Sequence, residues 1–158
     1  MLSESLEIDL EKALGGRVLV GALAENWEEA VRLAGKLLAA DGIVEDRYVE
    51  AMVQVTRELG PYAVIAPGVA LPHARPEDGA KEVGLSIVTL REGVNFGSPN
   101  DPVYIVIGFS AKDRKSHLRV LQELADLLSR EGVVEALRSV KSREELLSLL
   151  RSRLQRST

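Results

Sequence analysis

The 158-residue sequence contains no cysteine. Disulfide bridges, thiolate zinc sites and cysteine nucleophiles are therefore excluded. The sequence also lacks the run of about 18 apolar residues that a membrane-spanning helix requires. Its first residues, MLSESLEIDLEKALGG, lack the positive and apolar regions of a signal peptide. We therefore expect a protein that works in the cytoplasm.

A dense block of positive charge is missing as well. The chain has 20 Lys and Arg against 24 Asp and Glu, and both signs are scattered along it. Because nucleic-acid binding needs clustered positive charge, nucleic acid is not an expected partner. Internal repeats and low-complexity segments are also absent. A chain of this length, with 46% hydrophobic residues, is typical of one globular domain, which we expect to span residues 1–158.

Five segments have the apolar spacing of amphipathic helices. They cover about residues 26–40, 45–59, 116–130, 133–139 and 143–154. Asn26 with Glu29, and Ser142 with Glu145, match the capping-box pattern that begins a helix.

Strands are expected between these helices. The runs at 82–90 and 102–109 are rich in β-branched residues on both alternating faces, as in central strands that are covered on two sides. Shorter strands are expected at 17–22 and 62–66, with an edge piece at 94–96. Helices before and after the strands predict an α/β fold with three layers.

His73 is one of only two histidines, and it lies between two prolines in the segment APGVALPHARPEDG, residues 66–79. Pro72 and Pro76 restrict the backbone on either side, so we expect the loop to hold the imidazole ring outward. A neutral imidazole is a good phosphoryl acceptor or general base near neutral pH. The alternative is a loop histidine that only hydrogen-bonds to backbone carbonyls.

His117 follows Ser116, the expected N-cap of a helix. The start of a helix favours an anion, so this position suits a second residue of a phosphoryl site. His117 also shares a helix face with leucines, and it could equally seal the helix onto the sheet.

Two arginines are near His73 in the sequence. A phosphorylated imidazole needs guanidinium or N–H donors close to its oxygens, and Arg57 and Arg75 are the candidates. Each also has an ordinary explanation, Arg57 as a cation at the end of a helix and Arg75 as a solvated loop residue.

Other catalytic signatures are missing: the sequence has no GxSxG, GxxxxGK[ST], GxGxxG or HExxH motif. A metal site formed by both histidines and a carboxylate has no spacing signature in its favour. We therefore predict neither a metal nor an organic cofactor.

The segment PGVALPHARPEDG resembles the active-site signature of enzyme IIA domains of the bacterial phosphotransferase system, of the mannitol/fructose type. The similarity extends over about residues 25–150. It includes DGIVEDRYVEAMVQVTRELGPYAVIAPGVALPHA upstream and GVNFGSPNDPVYIVIGFSAKDRKSHLRVLQELADLL downstream, so both histidines are in register. Within the family, GPYAVIAPGVALPHARPE is most similar to the ascorbate-type members, which favours ascorbate as the sugar.

The resemblance implies an α/β fold with a mixed β-sheet flanked by helices, that is, a three-layer α/β/α sandwich. It implies that His73 accepts a phosphoryl group from the histidine phosphocarrier protein and passes it to an enzyme IIB partner. His117 would be the second active-site histidine, and Arg57 would take the place of the family arginine. Arg75 is added because of its proximity to His73.

The resemblance also implies partners. Enzyme IIB domains of this class carry phosphate on a cysteine, so the acceptor must be a separate chain, and the membrane IIC transporter is a more distant partner. We expect an apolar docking patch around His73, with Val69, Leu71 and Ala74 as candidates. The frequency of twofold oligomers alone favours a homodimer.

Two other functions remain open. The first is a regulatory module of the same fold, whose phosphorylation state controls binding to a partner without onward transfer. The second is a metal-dependent hydrolase built on His73, His117 and a carboxylate.

Overall fold

A mixed five-stranded sheet forms the centre of the protein, as a computed structural model describes it for residues 10–154. The strands are β1 (Val18–Ala22), β2 (Val64–Ala66), β3 (Val69–Ala70), β4 (Gly84–Val94) and β5 (Val103–Ser110). Their order across the sheet is β1-β4-β5-β3-β2. β1 is parallel to β4 and β3 to β5, whereas the pairs β4–β5 and β2–β3 are antiparallel.

Helices cover both faces of this sheet. They are α1 (Leu10–Leu14), α2 (Trp27–Ala40), α3 (Asp46–Leu59), α4 (Arg114–Ser129), α5 (Val133–Ser139) and α6 (Arg143–Leu154). Short 3₁₀ turns occupy Gly60–Ala63 and Pro76–Asp78. No helix within residues 10–154 is both long enough and apolar enough to pass through a membrane.

Alternate residues of the central strands supply two separate cores, as expected for side chains that point to opposite faces of a sheet. Leu85, Ile87 and Ile107 pack under α1, α4, α5 and α6. Val88 and Val106 face the other way and pack under α2 and α3. The predicted three-layer α/β/α arrangement is therefore confirmed.

Some expected boundaries change. Pro61 lies in a 3₁₀ turn, so the strand expected at 62–66 begins only at Val64. Val94, expected in a separate edge piece, is the last residue of β4. The helix expected from Ser116 begins at Arg114, and its N-cap is Asp113 instead of Ser116. The Asp113 carboxylate accepts a hydrogen bond from the Ser116 N–H at 2.8 Å, which satisfies one free donor of the first turn.

Gly108 allows α2 and α3 to approach the sheet closely. A Cβ at this position would lie 2.9 Å from Ser86 Oγ, 3.1 Å from Ala34 Cβ and 3.2 Å from Met52 Cε. Ser86 Oγ also donates a 2.8 Å hydrogen bond to the carbonyl of Ala34 in α2. The absence of a side chain at Gly108 therefore sets the spacing of one helical layer from the strand that leads to the site described next.

We predict that Gly108→Ala destabilises the protein by about 1–3 kcal/mol, because the added methyl group overpacks a filled core. Urea unfolding at neutral pH measures the difference. Arg91→Ala, on the exposed part of β4, is the control and should change stability by no more than about 0.5 kcal/mol. Equal unfolding midpoints for Gly108→Ala and the parent would contradict the close packing.

Candidate functional site

The loop that carries His73 lies against the end of β5. His73 forms a single parallel bridge with Phe109, and the Phe109 N–H donates to the carbonyl of Pro72 at 3.4 Å. The loop thus continues the direction of β3, which pairs in parallel with β5. This attachment to the sheet gives the imidazole a defined position although it belongs to a loop.

Hydrogen bonding sets which nitrogen of His73 is available. Nδ1 lies 2.9 Å from the carbonyl oxygen of Leu71. Because a carbonyl only accepts hydrogen bonds, Nδ1 of the neutral ring carries the proton and Nε2 carries the lone pair. Nε2 has no hydrogen-bond partner among the described residues. In this part of the chain, every fully buried side-chain nitrogen or oxygen has a hydrogen-bond partner, so Nε2 is not fully buried. Nε2 is therefore open to solvent.

The ring itself is half-buried, which corrects the expectation that the loop holds it outward. One face packs on Phe109, with ring centroids 4.7 Å apart. Burial lowers the pKa of His73, and the neighbouring His117 lowers it further, while the hydrogen bond to Leu71 acts in the opposite direction. The surroundings therefore favour a neutral ring whose reactive nitrogen still reaches solvent.

His117 is the fourth residue of α4 and lies beside His73. The two ring centroids are 5.1 Å apart, and the planes meet at 69° in an edge-to-face arrangement. His117 also contacts Phe109, with centroids 5.2 Å apart. Burial lowers the pKa of His117, and the charge of Arg114 lowers it further. The structure therefore brings the two histidines together, 44 residues apart in the sequence.

Tyr48 of α3 holds the histidine loop in place, a role that was not predicted from the sequence. The side chain is fully buried. Its hydroxyl accepts from the Ala74 N–H at 3.1 Å and lies 2.9 Å and 3.2 Å from the carbonyl oxygens of Phe109 and Ala74. Burial raises the pKa of Tyr48, so the hydroxyl keeps its proton and can donate. A hydroxyl within an otherwise apolar helical stripe was the signal available in the sequence.

Arg57 does not reach the histidines, which corrects its expected role. Its guanidinium lies 5.4 Å from the centre of the Trp27 ring and 3.7 Å from the Glu28 carboxylate. Tyr48 marks the end of α3 nearest to His73, and Arg57 follows it by nine residues, about 13 Å along the helix at 1.5 Å per residue. Proximity in the sequence was misleading because α3 runs away from the site.

Arg75 lies at the edge of the site. Its exposed side chain pairs with Asp78 at 3.4 Å, and its N–H donates to the same carboxylate at 2.9 Å. Arg75 shares the lining of a surface groove with His117, Lys112 and Arg114. It is therefore near the histidine pair, although a carboxylate already balances its charge.

The expected docking residues Val69, Leu71 and Ala74 cannot form a surface patch. Each is at most 3% exposed. Val69 lies in β3 within the sheet, and Ala74 packs beneath Tyr48, so the same contacts that fix the His73 loop bury its apolar residues. Among the described residues, the exposed large apolar side chain next to the histidines is Leu118, which is 53% exposed.

The site offers no obvious metal ligand set. Between residues 10 and 154, no group of three or more His, Asp or Glu side chains is arranged to hold a metal ion. Asp113 and Glu77 line the same groove as His117, but among these residues no carboxylate is arranged with the two histidines as a metal-dependent hydrolase would need.

Comparison with known proteins gives one consistent result. Residues 16–153 match the family described as phosphoenolpyruvate-dependent sugar phosphotransferase system, EIIA 2. The ascorbate-specific EIIA component of Escherichia coli K12 is 41% identical over 131 residues, which cover 82% of this chain and 85% of that protein.

Two solved structures extend the comparison to the fold. The mannitol-specific cryptic enzyme IIA of Escherichia coli superposes with a TM-score of 0.81 at 34% identity, covering 90% of this chain and 98% of that one. Mannitol enzyme IIA from the same organism, solved in complex with phosphorylated enzyme IIB, gives a TM-score of 0.76 at 33% identity, covering 87% and 95%.

We predict that at pH 7 His73 is neutral and carries its proton on Nδ1, and that both histidines titrate below the ordinary value of 6.5. The reason is that burial opposes the charged ring, so a proton is taken up only at lower pH. Nitrogen-15 chemical shifts of the imidazoles measure both properties. Arg114→Gln should raise the pKa of His117 and leave that of His73 nearly unchanged. A proton on Nε2 of His73 at pH 7 would contradict the assignment.

We predict that Tyr48→Phe lowers the free energy of unfolding by about 1–3 kcal/mol, since it leaves buried backbone groups of Ala74 and Phe109 unpaired. Amide hydrogen exchange should show the loss locally, as faster exchange at Ala74. Tyr62→Phe is the matched control, because Tyr62 is 81% exposed. Unchanged protection at Ala74 in the Tyr48 variant would show that the hydroxyl does not hold the loop.

Proposed function

The chain belongs to the EIIA 2 family of the phosphoenolpyruvate-dependent sugar phosphotransferase system, and on this premise we propose that Nε2 of His73 carries the phosphoryl group. The donor is the histidine phosphocarrier protein, and the acceptor is a separate enzyme IIB chain. The observation that carries the proposal is the 2.9 Å hydrogen bond between Nδ1 of His73 and Leu71, which leaves Nε2 as the free nucleophile.

Phosphoryl transfer to His73 needs no proton movement at the reacting nitrogen. The Nε2 lone pair forms a bond to phosphorus while the phosphorus–nitrogen bond of the donor breaks, and the bonding electrons leave with the donor imidazole. The proton of His73 stays on Nδ1, so the ring becomes cationic as the phosphoryl group arrives. The Leu71 carbonyl stabilises that cation through its hydrogen bond, and the effect is strong because the ring is half-buried.

His117 is the proposed contact for the phosphoryl oxygens. Its ring lies beside His73 with centroids 5.1 Å apart, so an N–H of His117 can donate to a group bound at Nε2. Arg75 and Arg114 line the adjoining groove and supply positive charge nearby. Arg57 has no part in this scheme, because it packs against Trp27 at the other end of α3.

Onward transfer is the same reaction in reverse at His73. A thiolate of enzyme IIB forms a bond to phosphorus, the Nε2–phosphorus bond breaks, and His73 returns to its neutral form. Residues 1–158 contain no cysteine, so that thiolate lies outside this sequence. A similar enzyme IIA has been solved in complex with phosphorylated enzyme IIB. The similarity to an ascorbate-specific EIIA component supports ascorbate as the sugar. Membership of the EIIA 2 family supports a cytoplasmic location.

We predict that incubation with phosphoenolpyruvate, enzyme I and the phosphocarrier protein adds one phosphoryl group to the parent chain and none to His73→Ala. Intact mass and site mapping measure the adduct. His117→Ala should still be modified, at a rate lower by about 10²-fold, since it loses one donor to the phosphoryl oxygens. Arg57→Ala is the control and should react like the parent.

An adduct that persists in His73→Ala would move the site to another residue. Adding enzyme IIB tests the second half of the relay, because its cysteine should gain the phosphoryl group as His73 loses it. A phosphorylated chain that binds enzyme IIB without transfer would instead support the regulatory alternative.

A further inference from the structure

The exposed face at the start of α4 carries a group of cations next to the histidines. Lys112, Arg114 and Lys115 are all exposed, and within residues 10–154 none of them forms an ion pair. Lys112 and Arg114 line the groove that also contains His117, and the charge of Arg114 acts on His117 directly. We call Lys112, Arg114 and Lys115, together with Leu118, the α4 face.

The arginines on the other sides of the site are paired with carboxylates. Arg75 pairs with Asp78 at 3.4 Å, and Arg47 at the start of α3 pairs with Glu45 at 2.9 Å. Two carboxylates share the groove with cations of the α4 face: Asp113, which accepts from the Ser116 N–H and feels the charges of Lys112 and Lys115, and the exposed Glu77. The three cations of the α4 face outnumber these two carboxylates, so the face beside the histidines is net positive in a protein whose net charge is -4.

The fold does not require these cations. Positive side chains in the first turn of a helix are opposed by the helix dipole. The first turns of α2, α3 and α6 follow that rule with acidic residues, whereas the first turn of α4 has none. Arg114 and Lys115 are thus opposed by the helix dipole, and the Asp113 carboxylate at the N-cap offsets part of the charge of Lys112 and Lys115. An anionic group that approaches from outside would offset the rest.

Leu118 adds an apolar contact to the same face. It is 53% exposed, follows His117 directly and lines the same groove. An exposed leucine flanked by charged residues matches the arrangement of a small docking surface, with an apolar centre and a charged rim.

We propose that the α4 face is the docking surface for enzyme IIB, and that enzyme IIB meets it with an acidic patch and an apolar residue beside its reactive cysteine. The inference rests on the proposed function and adds the chemistry of the partner. It follows from charge complementarity and from the position of the face beside His73, where a partner that exchanges a phosphoryl group must lie. Opposite charges then speed the encounter, and Leu118 supplies contact once the proteins meet.

The test measures phosphoryl transfer from the phosphorylated chain to the enzyme IIB protein of the same organism, from about 25 mM to about 250 mM salt. The second-order rate constant of the parent should fall as salt rises. In the double variant Lys112→Glu, Lys115→Glu, transfer at low salt should be about tenfold slower and nearly independent of salt. Arg114 is left intact so that its effect on His117 is unchanged.

Two further variants separate the contributions. Lys36→Glu, Lys141→Glu makes the same change in net charge at exposed positions on other elements, and it should behave like the parent. Leu118→Ala should slow transfer at every salt concentration and keep the salt dependence of the parent. Phosphorylation of each variant is checked first by intact mass, which shows that the histidine site is formed.

The outcomes are distinct. If the parent never transfers to enzyme IIB, the proposed function fails, and this inference fails with it. If transfer occurs and both double variants respond alike to salt, the proposed function stands and the α4 face is not the docking surface. If light scattering instead shows a salt-dependent dimer of the parent that the Lys112 and Lys115 reversals abolish, the occupant is a second copy of this chain and the proposal is overturned.

Discussion

A buried hydroxyl joins the three parts of the molecule on which the site depends. Tyr48 lies in α3, Ala74 lies in the histidine loop and Phe109 lies in β5, and the Tyr48 hydroxyl contacts backbone groups of the latter two. Because the side chain is fully buried, loss of these contacts would leave buried polar groups without partners, which costs free energy. A helix, a loop and a strand are therefore held in one arrangement, and the position of His73 follows from it.

The same arrangement sets the protonation state of the site. The loop is held against β5, so His73 packs on Phe109 and beside His117, and its burial disfavours the charged ring. The Leu71 carbonyl accepts a hydrogen bond from the Nδ1–H group, and the lone pair on Nε2 stays available. The ring is therefore neutral before transfer, and the Leu71 carbonyl stabilises it as a cation after transfer. This balance suits a carrier that must accept and release a phosphoryl group with little net change in free energy.

Local chemistry explains what could be predicted from the sequence. The helices at 133–139 and 143–154 have the expected bounds, because capping residues and apolar spacing are local signals. β3 has two residues, too few for a pattern, so it was not predicted. The contact of Tyr48 with Phe109 spans 61 residues, and no local signal reports such a distance. Arg57 and the docking residues Val69, Leu71 and Ala74 were misplaced because closeness in sequence was taken as closeness in space.

Access to Nε2 prevents the donor and the acceptor from reacting with His73 at the same time. One face of the His73 ring is covered by Phe109, and its Nδ1 edge is occupied by Leu71. In-line transfer requires the phosphorus donor or acceptor to approach along the direction of the Nε2 lone pair, and two proteins cannot occupy that direction together. Donor and acceptor must therefore use the same opening in turn. A surface shared in this way favours few apolar contacts and long-range charge, since a partner that binds tightly would block the next.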